Sequence, residues 1–151
     1  MHQSEPEVVQ SATLIISGGD FDPAEVTSML SLRPNQAWRK GERKSLTLAD
    51  GTKRLFDSVH ELSGWKMWLD EPERSRSLSD QLEHWDELLR ARSTELAQLR
   101  DRGASIVLDC CVITSTTAKV HTSPAIQAAF SDMGIHLDIT FYAHDDPDGA
   151  A

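Results

Sequence analysis
At 151 residues, with 39% hydrophobic and 26% charged side chains, the chain has the size and composition of one soluble globular domain. A net charge of −9 argues against a general nucleic-acid coat protein. No apolar run approaches the roughly 20 residues of a membrane span, and residues 1–10 have neither the basic nor the apolar stretch of a signal peptide. A cytoplasmic protein with no membrane or nucleic-acid partner is expected.

The β-rich run Ala12-Thr13-Leu14-Ile15-Ile16-Ser17, ended by Gly18-Gly19, predicts a first strand. Residues 1–11 before it are expected to form a flexible tail. Asp22 followed by Pro23 reads as an N-cap with proline at the first helical position. Val26, Met29, Leu30 and Leu32 give that helix one apolar face, and Pro34 is expected to stop it. A strand is expected over residues 36–44, then a turn at Ala49-Asp50-Gly51 and a returning strand over residues 53–58. Gly64-Trp65-Lys66-Met67-Trp68-Leu69 reads as a further strand, with Trp65, Met67 and Leu69 on one face and Pro72 ending it.

Residues 77–102 are the main helical region. Leu78, Leu82, Trp85, Leu89, Leu96 and Leu99 form one apolar stripe with a polar gap at Arg92. The gap fits one helix, or two joined by a kink. Gly103 is the expected C-terminal cap. Ile106, Val107, Leu108, Val112 and Ile113 predict a central strand over residues 105–115. Ser123-Pro124 repeats the cap-plus-proline start of a helix that turns Ile126, Ala129, Phe130 and Met133 to the core, with Gly134 capping it. Residues 135–143 then alternate, with Leu137, Ile139, Phe141 and Ala143 inward and His136, Asp138, Thr140, Tyr142 and His144 outward. Residues 145–151 read as a polar, flexible tail. The pattern predicts a single α+β domain over residues 12–144: a mainly antiparallel sheet with helices packed on one face. The order of elements is ferredoxin-like, and the β-α-β unit near the start is echoed near the end.

In their order and spacing these landmarks resemble a bacterial family, domain of unknown function 4279 (DUF4279). The resemblance rests on the early strand, the Asp22-Pro23 helix, Trp38-Arg39-Lys40-Gly41, the strand with Trp65 and Trp68, and the leucine-rich helix. Val107-Leu108-Asp109-Cys110, the Ser123-Pro124 helix and Leu137-Asp138-Ile139 complete it, so that it covers about residues 12–142. The chain lacks a proline near Arg92, where the resemblance implies a break in the long helix. The family implies no established catalytic residues, so none is carried over.

Two constellations carry chemistry. Residues 38–54 hold Arg39, Lys40, Arg43, Lys44, Lys53 and Arg54 against Glu42 and Asp50, a local +4 in a chain of −9. Such a segment suits an anionic ligand or protein partner, with bidentate guanidinium contacts and Trp38 as a stacking surface. It equally suits a solvated hairpin whose lysines blunt a strand edge. The outward row His136, Asp138, Tyr142 has the groups for a general base, or is the polar face of an antiparallel sheet. No H-E-x-x-H or C-x-x-C spacing supports a metal, and no cofactor is expected. The neighbours Cys110 and Cys111 are expected to stay reduced, one thiol facing inward and one outward, because strand geometry separates them.

The leading expectation is a small cytoplasmic, non-enzymatic binding or regulatory protein, with a toxin-neutralising immunity protein as one form of it. The alternative is an enzyme or anion-binding protein using the basic hairpin or the His136/Asp138/Tyr142 face. A pocket in which Arg39 or Arg43 meets His136 or Asp138 would favour the alternative.

Overall fold
The computed structural model describes residues 8–143. Its elements run β1 (Val9–Gly18), α1 (Pro23–Leu30), β2 (Gln36–Trp38), β3 (Arg43–Thr47), β4 (Lys53–Val59), β5 (Ser63–Trp68), a 3₁₀ turn (Glu73–Ser75), α2 (Leu78–Arg90), α3 (Ser93–Asp101), β6 (Ser105–Thr114), α4 (Pro124–Asp132) and β7 (His136–Ala143). Five strands form one sheet in the order β2-β5-β1-β6-β7, and β3 and β4 form a separate two-stranded ribbon. Neighbours are antiparallel except β6 and β7, which run parallel. The sheet is therefore mixed, a departure from the antiparallel neighbours that a ferredoxin-like order requires. The two β-α-β units also differ: β5 lies between β1 and β2, whereas β6 and β7 are adjacent.

Helices cover one face only. Ala12, Leu14 and Ile16 of β1 join Ile106, Leu108, Cys110 and Val112 of β6 in one buried cluster. Val26 and Leu30 of α1, the α2 stripe, Leu96 and Leu99 of α3 and Phe130 of α4 complete that cluster. Thr13, Ile15, Val107 and Asp109, the alternate residues, turn to the opposite face and stay partly exposed. β6 is interior, as its apolar content predicts, but β1 holds the middle of the sheet and β6 is covered on one face only.

β1 is longer than its partner β5, whose pairing ends at Thr13 opposite Trp68. Side chains of α2 replace the missing strand. The Ala12 N–H donates to Gln81 Oε1 at 3.0 Å, and Trp85 Nε1 donates to the Ala12 carbonyl at 3.1 Å. Gln81 Nε2 also donates to the Gln10 carbonyl at 2.8 Å, and Gln10 Oε1 accepts from the Leu78 N–H at 2.6 Å. Gln81 is thus fully buried without an unmet polar atom.

Several boundaries differ from the sequence reading. Val9, Gln10 and Ser11, assigned to the tail, are paired with Ile113, Val112 and Cys111. The remaining tail residues 1–7 and 145–151, and His144, lie outside the described residues. α1 ends at Leu30 rather than at Pro34, because Ser31 takes a left-handed conformation (φ 53°) and its N–H closes on the Thr27 carbonyl. The strand expected over residues 36–44 is split at Arg39-Lys40-Gly41-Glu42. There Gly41 (φ 86°) turns the chain, and Glu42 Oε2 accepts from the Arg39 N–H. The helical region is two helices joined at Arg92, whose guanidinium donates to the Leu30 carbonyl at 2.5 Å and the Leu88 carbonyl at 2.7 Å. The polar gap in the leucine stripe is that joint. Phe141 is 58% exposed: of the alternating residues of β7, Leu137 and Ile139 pack against the core and Phe141 does not.

Trp85 is fully buried and hydrogen-bonded. Trp85→Ala should lower stability by about 3–5 kcal/mol. Gln81→Leu keeps the volume but strands the Ala12 N–H, and should cost at least about 2 kcal/mol. Urea midpoints check both; an unchanged midpoint in either variant contradicts this packing.

Candidate functional site
The basic segment opens at the β2 edge of the sheet. Trp38 is half-buried because its indole lies over Gly64, where a Cβ would fall 2.1 Å from the ring. It also stacks on His60, with centroids 4.8 Å apart and planes at 19°. The ring that the sequence offers as a stacking surface is therefore engaged by its own chain. Arg39 Nη2 pairs with Asp22 Oδ2 at 3.0 Å, the residue whose Oδ1 also caps α1 by accepting from the Ala24 N–H. Asp22, Thr27, Ala37, Trp38, Arg39 and Lys40 line an open cleft of about 630 Å³ between α1 and β2.

Beyond Gly41 the chain leaves the sheet as the β3–β4 arm. Its turn is fixed by Asp50, whose carboxylate accepts from the Thr52 N–H and is thereby held below the usual carboxylate range. Arg43 Nε donates to the Phe56 carbonyl at 3.0 Å, where the register of the arm shifts. Arg39 and Arg43 are thus tied internally, while Lys40, Lys44, Lys53 and Arg54 have no ion pair among the described residues.

Every residue of β3 and β4 is exposed. Among them are large apolar side chains: Leu46 is 51% exposed, Leu55 54%, Phe56 39% and Val59 47%. Leu46 and Arg54 stand opposite each other and share a face, and the Arg54 guanidinium lies 5.8 Å over the Phe56 ring. The sequence reading named the cations and passed over these apolar residues. Their signal is Leu46, Leu55, Phe56 and Val59 recurring inside a charged hairpin too short to build a core.

His136, Asp138 and Tyr142 lie exposed on the uncovered face at the opposite edge of the sheet. Four inter-strand steps, about 19 Å, separate β2 from β7, so neither Arg39 nor Arg43 meets His136 or Asp138. Asp138 stands instead in register with Asp109 of β6. Cys110 is buried and Cys111 part-exposed, both free. Burial pushes the Cys110 thiol up to about 12, with Asp109 and Asp138 adding to it. Burial, then Asp109, also raises Cys111, the opposite of what activates a thiol nucleophile. Among the described residues no group of His, Cys, Asp and Glu is arranged to hold a metal.

The fold and surface define a small α+β protein with a one-sided helical layer and a projecting basic-apolar arm. The chain belongs to the family described as domain of unknown function DUF4279, whose model matches residues 7–144. In the same comparisons no curated protein and no solved structure matches it.

A thiol raised in the folded state favours folding below its ordinary value and loses that contribution as pH rises toward the folded value. For Cys110 the window is pH 9 to about 12. Over that window the native protein should lose stability faster than Cys110→Ala, read from urea midpoints at stepped pH; parallel slopes contradict the burial of this thiol.

Proposed function
We propose that this is a non-enzymatic binding protein of the bacterial cytoplasm whose partner-facing element is the β3–β4 arm. One observation carries the reading: both strands are exposed along their whole length, yet present Leu46, Leu55, Phe56 and Val59 to solvent. A two-stranded ribbon without a packed face is marginal in water, and clustered exposed apolar residues mark interaction sites. The cations beside them favour an acidic partner surface.

A toxin-neutralising role is a second reading. It is favoured by Asp80, Glu83 and Glu87, which line the groove between α2 and α4 and would meet a basic partner there. We also read the run β1-α1-β2-β5-α2-β6 as a ferredoxin-like unit, to which α4 and β7 are appended. On that reading the arm is an insertion between the second and third strands of the unit.

A photo-crosslinking residue placed singly at Phe56, Glu83 or Gln98 in cells tests the reading. Phe56 should give a defined protein adduct that Gln98, on the outer side of α3, does not. An adduct at Glu83 alone favours the toxin-neutralising reading, and no arm-specific adduct overturns the proposal.

A further inference from the structure
The uncovered face of the sheet has a composition that solvent alone does not explain. Asp109 and Asp138 stand side by side in register on β6 and β7. Like charges directly opposite on neighbouring strands are destabilising, and neither carboxylate has an ion-pair partner among the described residues. Along the same face Val9 pairs with Ile113, and Ile113 with Tyr142. This row is apolar, with Val9 47% and Tyr142 54% exposed. The face thus presents a carboxylate pair and, beyond the intervening Ser11-Cys111-Thr140 row, an apolar row.

The arm carries the complementary pattern. Arg54 sits between Leu46, its cross-strand neighbour, and Phe56, over which its guanidinium lies. Residues 43–59 hold four cations against Asp50 and Asp57, a net +2, so the rest of the −9 chain carries −11. Basic-apolar arm and acidic-apolar face lie toward opposite ends of the sheet, β2–β5 and β6–β7. The exposure of the whole arm shows that it does not rest on its own body.

We propose that the arm of one copy docks on the uncovered sheet face of a second copy, Arg54 meeting Asp109 and Asp138 while Leu46 and Phe56 cover Ile113 and Tyr142. This rests on the reading of the arm as the partner-facing element and names its partner. Reciprocal docking closes a two-fold dimer, since each copy supplies one arm and one face. An arm about 23 Å long and about 10 Å wide, used twice, buries on the order of 1,000 Å² in total. That is the lower bound of a specific interface, so the dimer should be weak and salt-sensitive.

Sedimentation velocity on the full chain tests this. At about 100 µM and low salt the native protein should sediment at twice its 16.8 kDa mass, and return to monomer when salt screens the charges. Arg54→Glu alone and the pair Asp109→Lys with Asp138→Lys should each be monomeric. Mixing these two variants should restore a heterodimer, because both reciprocal contacts of the mixed pair are then complementary in charge. Circular dichroism confirms that each variant is folded, and Gln98→Lys, on the outer side of α3 and remote from both surfaces, should dimerise as the native chain does. A native chain that stays monomeric, or a mixture that does not associate, overturns the proposal. A monomer that still gives a Phe56 adduct with another protein sinks the dimer and leaves the arm reading standing; no adduct sinks both.

Discussion
The strand at the middle of the sheet is four residues too long for its neighbour, and the rest of the structure is arranged around that mismatch. β5 leaves β1 after Thr13, so Gln10 and Ala12 would face the interior with unpaired backbone groups. Each such group costs about 1–3 kcal/mol when buried. Gln81 and Trp85, one turn apart on α2, meet them with both a donor and an acceptor. That contact fixes where α2 lies and in which rotation. It sets the Leu78-Leu82-Leu89 stripe on the sheet and fixes which face is left bare.

The arm is the structural opposite of this solution. At Gly41 the chain turns out of the sheet, and the hairpin that follows has hydrogen bonds of its own but no layer beneath it. The body keeps its apolar residues in one cluster, while the arm leaves several in water. A fold that caps even the short gap in β1 with two buried side chains does not expose a Leu46–Phe56 surface for want of packing elements. On the proposed reading, that surplus serves an encounter with another molecule. The two candidate regions differ in shape: the basic segment is a projecting element and the β6–β7 face a flat one, and the proposed docking pairs them.

Much of this was legible in the sequence because the signals are local. Asp22-Pro23 and Ser123-Pro124 start helices where capping chemistry places them, and Gly103 and Gly134 end helices at positive φ. The α2 stripe named Trp85 as core, and alternation separated Cys110 from Cys111. What escaped depends on contacts between distant segments. Nothing near Gln81 announces that it replaces a strand paired to residue 12. Arg92 looked like a missing apolar beat, and its role as the joint appears only when Leu30 is seen beside it. The separation of Arg39 from His136 follows from strand order, which periodicity does not encode. The candidate residues were chosen by charge, and the apolar half of the same surface was passed over because exposure of Leu46 and Phe56 depends on the arm leaving the sheet, which local pattern does not encode.

The arm is an element independent of the body. Residue-resolved hydrogen exchange on dilute protein measures this directly. Amides of β1 and β6 should exchange only through global unfolding, with Ala12 among the slowest, while those of β3 and β4 should exchange orders of magnitude faster. Arm amides as protected as Ala12 in a dilute monomer would mean that the hairpin is packed against its own body, and would contradict the account.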